Sequence, residues 1–370
     1  MSSTRAEVAI VGNGVGGYAC AARLAKHGIR PLLIGPGLPV DRPPLTKKAL
    51  ATGVPTLLSD EQRLAERGIE WLDGIVADAD LGGGLLTTDV GDVEADTIVL
   101  ATGLRYPRPP IPGIEAAVVN ADPASLGRIA TVLARPGRRI ALIGAGLIGT
   151  ESAATLAAAG HEVSVLDVLE RPLDRLHDPL PELGAAALAA TGARFLGCVE
   201  ITELATGEDG HVTLWYPGGS LTADLVLAAT GGRQRMPPGL CVGTEELPLE
   251  VDGALRLPGF ERVHAVGDLV VVPHARFGPI RFPHWDMAIG TGEHAADAIA
   301  GVAGELDRLP YWWTDIGPRT FAEVGWAQAA VEWDDEDGVH VGRDDAGEPV
   351  AVLVVDEPRR LREARALLGY

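Results

Sequence analysis

EVAIVGNGVGGYACAARLAKHG, residues 7 to 28, is the stretch that decides the fold. It reads as a short apolar strand, then Gly12, Gly14 and Gly17 at G-x-G-x-x-G spacing, then an alanine-rich helix. Each glycine has its own physical task. The first makes a tight turn, the second lets backbone approach a pyrophosphate, and the third lets helix and strand pack closely. The phosphates would then meet the positive end of the helix. A lone G-x-G-x-x-G is a weak signal, because a glycine-rich turn can precede any helix. Here the strand before it and the helix after it are both in place.

The pattern returns in RRIALIGAGLIGTESAATLAAAGHEVSVLD, residues 138 to 167. Gly144, Gly146 and Gly149 take the same spacing, and the next strand ends on Asp167, placed about 20 residues on, as a ribose-binding acid should be. Two such units in one chain are far rarer by chance than one. They imply an α/β protein with two Rossmann-like dinucleotide sites.

The rest of the chain fits that plan. ADTIVLATG, ending at Gly103, and ADLVLAATGG, ending at Gly232, are continuous apolar strands of the buried parallel kind, each followed by a small-residue turn. Alternation between Gly74 and Gly91, and from Val199 to Leu221, predicts small β-meanders. ERVHAVGDLV, residues 261 to 270, is a further strand with Asp268 at its carboxyl end, where ligands of open α/β sheets bind.

The first unit departs from its own pattern. In LLIGPGLPVDRPPLTKK, residues 32 to 48, the second strand runs into Gly35, Pro36 and Gly37, so the acid that should hold a ribose is missing. The same stretch carries two of the three lysines in the chain, Lys47 and Lys48; the third is Lys26.

Composition narrows the classes. At 370 residues and 46% hydrophobic, the chain can bury a large core in two or three domains. A formal charge of -20, with acids spread throughout, argues against nucleic acid or an anionic membrane as partner. No segment approaches the roughly 20 unbroken apolar residues of a membrane span. The N-terminal sequence enters a strand almost at once, without a signal-peptide layout, so a cytoplasmic location is expected. Cys20, Cys198 and Cys241 are far apart and show neither a disulfide framework nor metal spacing, so no metal is expected.

Taken in order, GNGVGG, RPPLTKK, ATG, GAGLIGTE, AVGD, HWDMA and PYWWTD closely resemble the FAD-dependent, NADH-using reductases that feed ferredoxins or rubredoxins in oxygenase and cytochrome P450 systems. The likeness runs to EPRRLREARALL near the C-terminus. It implies a glutathione-reductase-like fold: an FAD domain from residues 1–112 and 236–308, an NAD(P)H domain from 113–235, and a C-terminal α+β domain from 309–370. It implies that Arg42 and Lys47 lie beside the flavin, that Asp268 accepts from ribityl hydroxyls, and that Val76, Thr102 and Gly103 complete the FAD contacts. Trp285 would lie near the isoalloxazine and nicotinamide, Glu151 near the nicotinamide, and Gly231 in the NAD site. Lys47, Glu151 and Trp285 are the expected catalytic set. Disulfide-reducing relatives of this fold carry a redox cysteine near LPVDRPPLTKK, residues 38 to 48, and this chain has none there.

The resemblance is incomplete at three places. The ribose acid is absent, and a lost charged hydrogen bond worth roughly 1.5 to 3 kcal/mol predicts weakened FAD retention. Pro283 stands where the family usually has glutamate. The loop after Lys48 and the C-terminal domain are short, and QRMPPG replaces a common valine-x-proline-asparagine. The leading expectation is NADH-to-flavin transfer, with NADPH a poorer donor, and then electron transfer to a ferredoxin- or rubredoxin-type acceptor. Two other readings stay open: a flavoenzyme acting on a small organic substrate at the altered edge around Pro283, and a degenerate nucleotide-binding sensor. For docking an acidic acceptor, Arg359, Arg360, Arg362 and Arg365 form the densest basic run.

Overall fold

The structure is a computed structural model that describes residues 4–234, 236, 248–336 and 338–370. Cys241 and the greater part of QRMPPG lie outside the described residues. Packing divides the chain into two units, one comprising residues up to Arg42 with Leu57–Arg105 and Arg233–Tyr311, the other Pro43–Thr56, Tyr106–Gly232 and Trp312–Tyr370.

In the first unit the fully apolar strand Pro31–Ile34 and the strand Thr4–Val11 pair in parallel, with Val11 opposite Ile34. Glu70–Leu72 extends this sheet on one side, and the long strand Gly91–Leu100 on the other. Val263–Ala265 lies parallel beside the buried end of Gly91–Leu100. The opposite end of that strand turns antiparallel into the meander Leu85–Thr88 and Val76–Asp80, as the alternation predicts. Every parallel strand therefore brings its carboxyl end to one edge, the edge at which such sheets bind ligands.

Helix Val15–Lys26 packs on helix Trp285–Ile299 through small residues. A Cβ on Gly292 would fall 2.2 Å from the Gly16 carbonyl oxygen, so neither helix can thicken there. A bidentate pair, Arg23 to Asp297 at 2.6 and 2.9 Å, closes the far end of the contact.

The second unit repeats the plan. Its five-stranded sheet is parallel throughout, in the order Val118–Val119, Leu225–Ala228, Arg139–Ile143, Glu162–Leu166, Arg194–Leu196. An antiparallel meander, Glu203–Thr206, Val212–Tyr216 and Gly219–Ala223, packs Leu204, Leu214 and Ala223 onto Ala141, Leu166 and Val226. A second, antiparallel sheet follows, in the order Tyr311–Ile316, Arg319–Gly325, Pro349–Val355, Val339–Arg343, Glu332–Glu336, and helix Leu361–Leu367 completes the chain.

A polar tie joins this sheet to the loop after Asp167. His177 donates from Nε2 to a carboxylate oxygen of the buried Glu323, whose other oxygen accepts from Trp312 Nε1 at 3.0 Å. The His177 ring also lies flat on Trp333, 4.0 Å between centroids. Burial alone would lower the His177 value, but the bond and charge of Glu323 outweigh it and raise it above the ordinary one. A raised histidine stabilises fully below its unfolded value of about 6.5, and that stabilisation fades as pH rises through the folded value. Glu323→Ala should cost about 3 kcal/mol, because it strands the buried Trp312 indole N–H and leaves the half-buried His177 charge without its partner. In thermal melts from pH 6 to 9, the gap between native protein and Glu323→Gln should narrow as pH rises. A gap that ignores pH would show that no ion pair operates there.

Candidate active site

The two glycine loops are built alike. Gly12 and Gly144 adopt φ of +114° and +105°, in the region that favours glycine. A Cβ on Gly17 would sit 2.0 Å from the Gly12 carbonyl oxygen, and one on Gly149 2.1 Å from that of Gly144. At the middle glycines, Gly14 and Gly146, a Cβ would meet nothing within 4 Å. Each middle glycine is also the N-cap of its 12-residue helix and offers no side-chain bond to the first-turn amides. Those amides and the open ground before them form a cradle that a side chain would fill and a pyrophosphate fits.

Around the first loop, the backbone amide of Thr102 lies close under Gly12, and Gly103 turns with φ +64°. Val76 is buried at the start of its strand. Asp268 follows the strand Val263–Ala265 in a short 3-10 turn, and Gly267 N donates to Thr291 Oγ1 at 2.9 Å. Burial pushes the Asp268 carboxyl up to about 6, against the opposing charges of Arg42 and Arg281. Trp285 opens its helix and donates from Nε1 to Asp41 at 2.9 Å, which fixes the plane of the indole.

Around the second loop, Asp167 ends its strand as expected. Oδ2 accepts from Ala145 N at 2.6 Å and Oδ1 from Leu169 N at 2.9 Å, so the carboxylate is oriented with a lone pair left on each oxygen. Gly231 turns with φ +91° three residues after the strand Leu225–Ala228.

The same unit brings Lys47 and Glu151 together. Lys47 Nζ lies 3.1 Å from Glu151 Oε1 and 2.6 Å from Asp315 Oδ2. Glu151, buried in the first turns of its helix, also accepts from Thr46 Oγ1, from Thr314 Oγ1 at 3.3 Å and from Asp315 N at 3.1 Å. Burial would depress the Lys47 ammonium, but its bonds to Asp315 and the charge of Glu151 win and raise it. Burial would likewise raise the Asp315 carboxyl, and bonds from Lys47 and Thr320 hold it below the ordinary range instead. The lysine is thus a fixed cation at neutral pH, and among the described residues Glu151 and Asp315 take two of its three N–H donors.

Packing places Lys47 in the second unit and Arg42, Asp268 and Trp285 in the first. Sequence reasoning had no role for Asp315, Thr46, Asp41 or Arg281. Asp315 stood in plain view in PYWWTD; its strand position placed it in the C-terminal sheet, and only the fold carries it to Lys47.

The sequence profile of the pyridine nucleotide-disulphide oxidoreductases matches residues 6–292. The chain belongs to this family. Flavin and pyridine-nucleotide chemistry come with that membership, and the cradles above suit both groups. Among members of known kind, the chain is 31% identical over 400 residues to the ferredoxin reductase component of chlorobenzene dioxygenase from Cupriavidus sp. (strain PS12), covering 98% of this chain and 93% of the relative. It is 29% identical to the ferredoxin-NAD(+) reductase subunit of the benzene 1,2-dioxygenase system of Pseudomonas putida, with the same coverage of both chains. The crystal structure of the ferredoxin reductase for the CYP199A2 system from Rhodopseudomonas palustris superposes with a TM-score of 0.86 at 25% identity, over 94% of this chain and 91% of that one. Among the described residues, no helix of this family member is long and apolar enough to cross a membrane.

Asp268 yields a pH prediction. An acid that titrates at about 6 folded and about 3.9 unfolded favours folding below its unfolded value and loses that contribution as pH rises through the folded one. Asp268→Asn should therefore raise the thermal midpoint of flavin-free protein at pH 8 and leave it no higher at pH 4. An equal shift at both values would remove the buried charge as its cause.

Proposed function

We propose that the protein takes electrons from NADH into FAD and passes them singly to a ferredoxin-type iron–sulfur protein. The carrying observation is the near full-length likeness to two dioxygenase ferredoxin reductases. The absence of a cysteine among residues 38 to 48 supports it, since that leaves no thiol relay in the loop. On this reading residues 1–112 and 236–308 serve FAD, 113–235 serve the nicotinamide nucleotide, and 309–370 are a smaller α+β addition.

The first glycine loop with Arg42 and Asp268 would hold FAD, and the second loop with Asp167 and Gly231 would hold NADH. Bound there, the flavin would supply the conversion between two-electron chemistry with a nicotinamide and one-electron chemistry with an iron–sulfur centre. Lys47 keeps its proton and presents one donor from a fixed point. Glu151 and Asp315 hold that point, and Asp41 holds the Trp285 indole. Such preorganised charge costs no reorientation at the moment of reaction.

Asp167 supports a preference for NADH. An oriented carboxylate can accept from both ribose hydroxyls and repels a 2′-phosphate. The nearest arginine in sequence, Arg171, is engaged by Asp174 at 2.7 Å, which blunts any welcome it could give that phosphate. In stopped-flow reduction of the flavin, kcat/KM for NADH should exceed that for NADPH by at least about 10-fold, an order set by one such charge contact. Asp167→Ala should lose NADH efficiency chiefly in KM. Equal efficiencies for the two nucleotides in the native protein would sink the preference.

The basic run near the C-terminus carries less charge than its sequence offers, because Arg360 forms a bidentate pair with Glu363 at 2.9 Å. Docking of an acidic acceptor on what remains should weaken as salt rises. Arg359→Glu with Arg362→Glu should slow reduction of a ferredoxin while flavin reduction by NADH stays intact. Fast flavin reduction with no iron–sulfur protein reduced at any ionic strength would transfer the protein to the small-substrate flavoenzymes.

A further inference from the structure

The two units offer an internal standard for the missing ribose acid. Val11 pairs with Ile34 as Ile143 pairs with Leu166, and Gly12 N donates to Ile34 O as Gly144 N does to Leu166 O, both at 2.8 Å. One residue on, Gly35 N donates to Leu72 O as Asp167 N donates to Leu196 O. Gly35 is therefore the counterpart of Asp167, and Asn13 the counterpart of Ala145. The pair has been exchanged: a small residue in the loop with an acid on the strand in one unit, an amide in the loop with glycine on the strand in the other.

The space shows the same exchange. A Cβ on Gly35 would fall 2.5 Å from both Cγ and Oδ1 of Asn13, so the Asn13 side chain occupies the ground from which a strand-end acid would project. Asn13 Nδ2 donates to Gly37 O at 2.6 Å and reaches Pro36 O at 3.4 Å. A carbonyl oxygen can face only the NH2 of the amide, so this bond settles the orientation and leaves Oδ1 as the acceptor over Gly35. Asp167 also braces Leu169 N, two residues past itself. In the first unit that task falls to Asp73, which accepts from Gly37 N at 2.8 Å. Asp73 follows Leu72, at the carboxyl end of the neighbouring strand.

We propose that Asn13 Oδ1 takes the adenosine ribose of FAD in place of the absent carboxylate, while Asp73 takes over the bracing of the loop. The two tasks of one acid are divided between two residues, and the ribose contact becomes neutral. This rests on the FAD reading above.

The test is equilibrium binding of FAD to flavin-free protein, compared with FAD analogues lacking the adenosine 2′- or 3′-hydroxyl. In the native protein at least one analogue should bind about 3- to 10-fold more weakly, the size of one neutral hydrogen bond. In Asn13→Ala, FAD itself should weaken by that factor and the penalty of the analogue should vanish. Asn13→Asp, which keeps the acceptor and loses the donor to Gly37, should retain the penalty and so separates ribose contact from loop bracing. Asn13→Ala with Gly35→Asp copies the second unit and should recover both the affinity and the penalty, whereas Gly35→Asp alone should collide with Asn13 and weaken FAD. A penalty that persists in Asn13→Ala, or none in the native protein, overturns the proposal alone. No binding of FAD at all would overturn the cofactor reading with it.

Discussion

Each unit of this protein hangs on one steric constraint: a helix must begin almost in contact with the strand that precedes it. The third glycine of each loop faces the carbonyl oxygen of the first across a gap that no Cβ can enter, at Gly17 over Gly12 and Gly149 over Gly144. Given that approach, the helix N-terminus points its unpartnered amides into open ground at the middle glycine. The parallel strands alongside then deliver the residues that follow them to the same edge as the loop, Thr102 and Asp268 in the first unit, Asp167 and Gly231 in the second. Any side chain at the third glycine would push the helix away and disperse the whole edge.

This constraint is local, which is why the fold was legible. Glycine spacing, apolar strands and meander alternation each lie within about thirty residues, and the structure has the elements where those patterns put them. Asp167 was legible for the same reason, being fixed by its place after the second strand. Residues 43–56 are a different matter. Cofactor resemblance assigns them to the FAD domain, whereas packing groups them with the second unit, because Thr46 and Lys47 bond Glu151 and Asp315. Compactness and cofactor ownership are distinct properties, and only the second can be read from motifs.

The polar cluster around Lys47 was half legible. A scarce lysine in an arginine-rich chain marks a point where a compact ammonium is wanted, and Glu151 was marked by its place in GLIGTE. Asp315 was not, because its partner is 268 positions away and a lone aspartate in a strand has many ordinary explanations. The exchange of Asn13 for an acid at Gly35 was legible only as a loss. Sequence shows that the carboxylate is gone; three-dimensional register is needed to show what stands in its place.

The Lys47 site also shows why charge sign and charge placement are separate questions in so acidic a chain. A net charge of -20 sets a negative mean field, yet the site holds a cation at a fixed point. An arginine could not replace it without loss, because a planar guanidinium spreads its donors over a rigid fork, whereas an ammonium directs three from one atom. Two carboxylates on one ammonium leave the local sum negative by one, and Thr46, Thr314, Thr320 and the Asp315 amide offset this by donating to the carboxylate oxygens. Those donors fix Glu151 and Asp315, which in turn fix Nζ. The remaining N–H of Lys47 therefore has a defined direction, and a donor that acts on a ligand in one geometry requires a direction more than it requires charge.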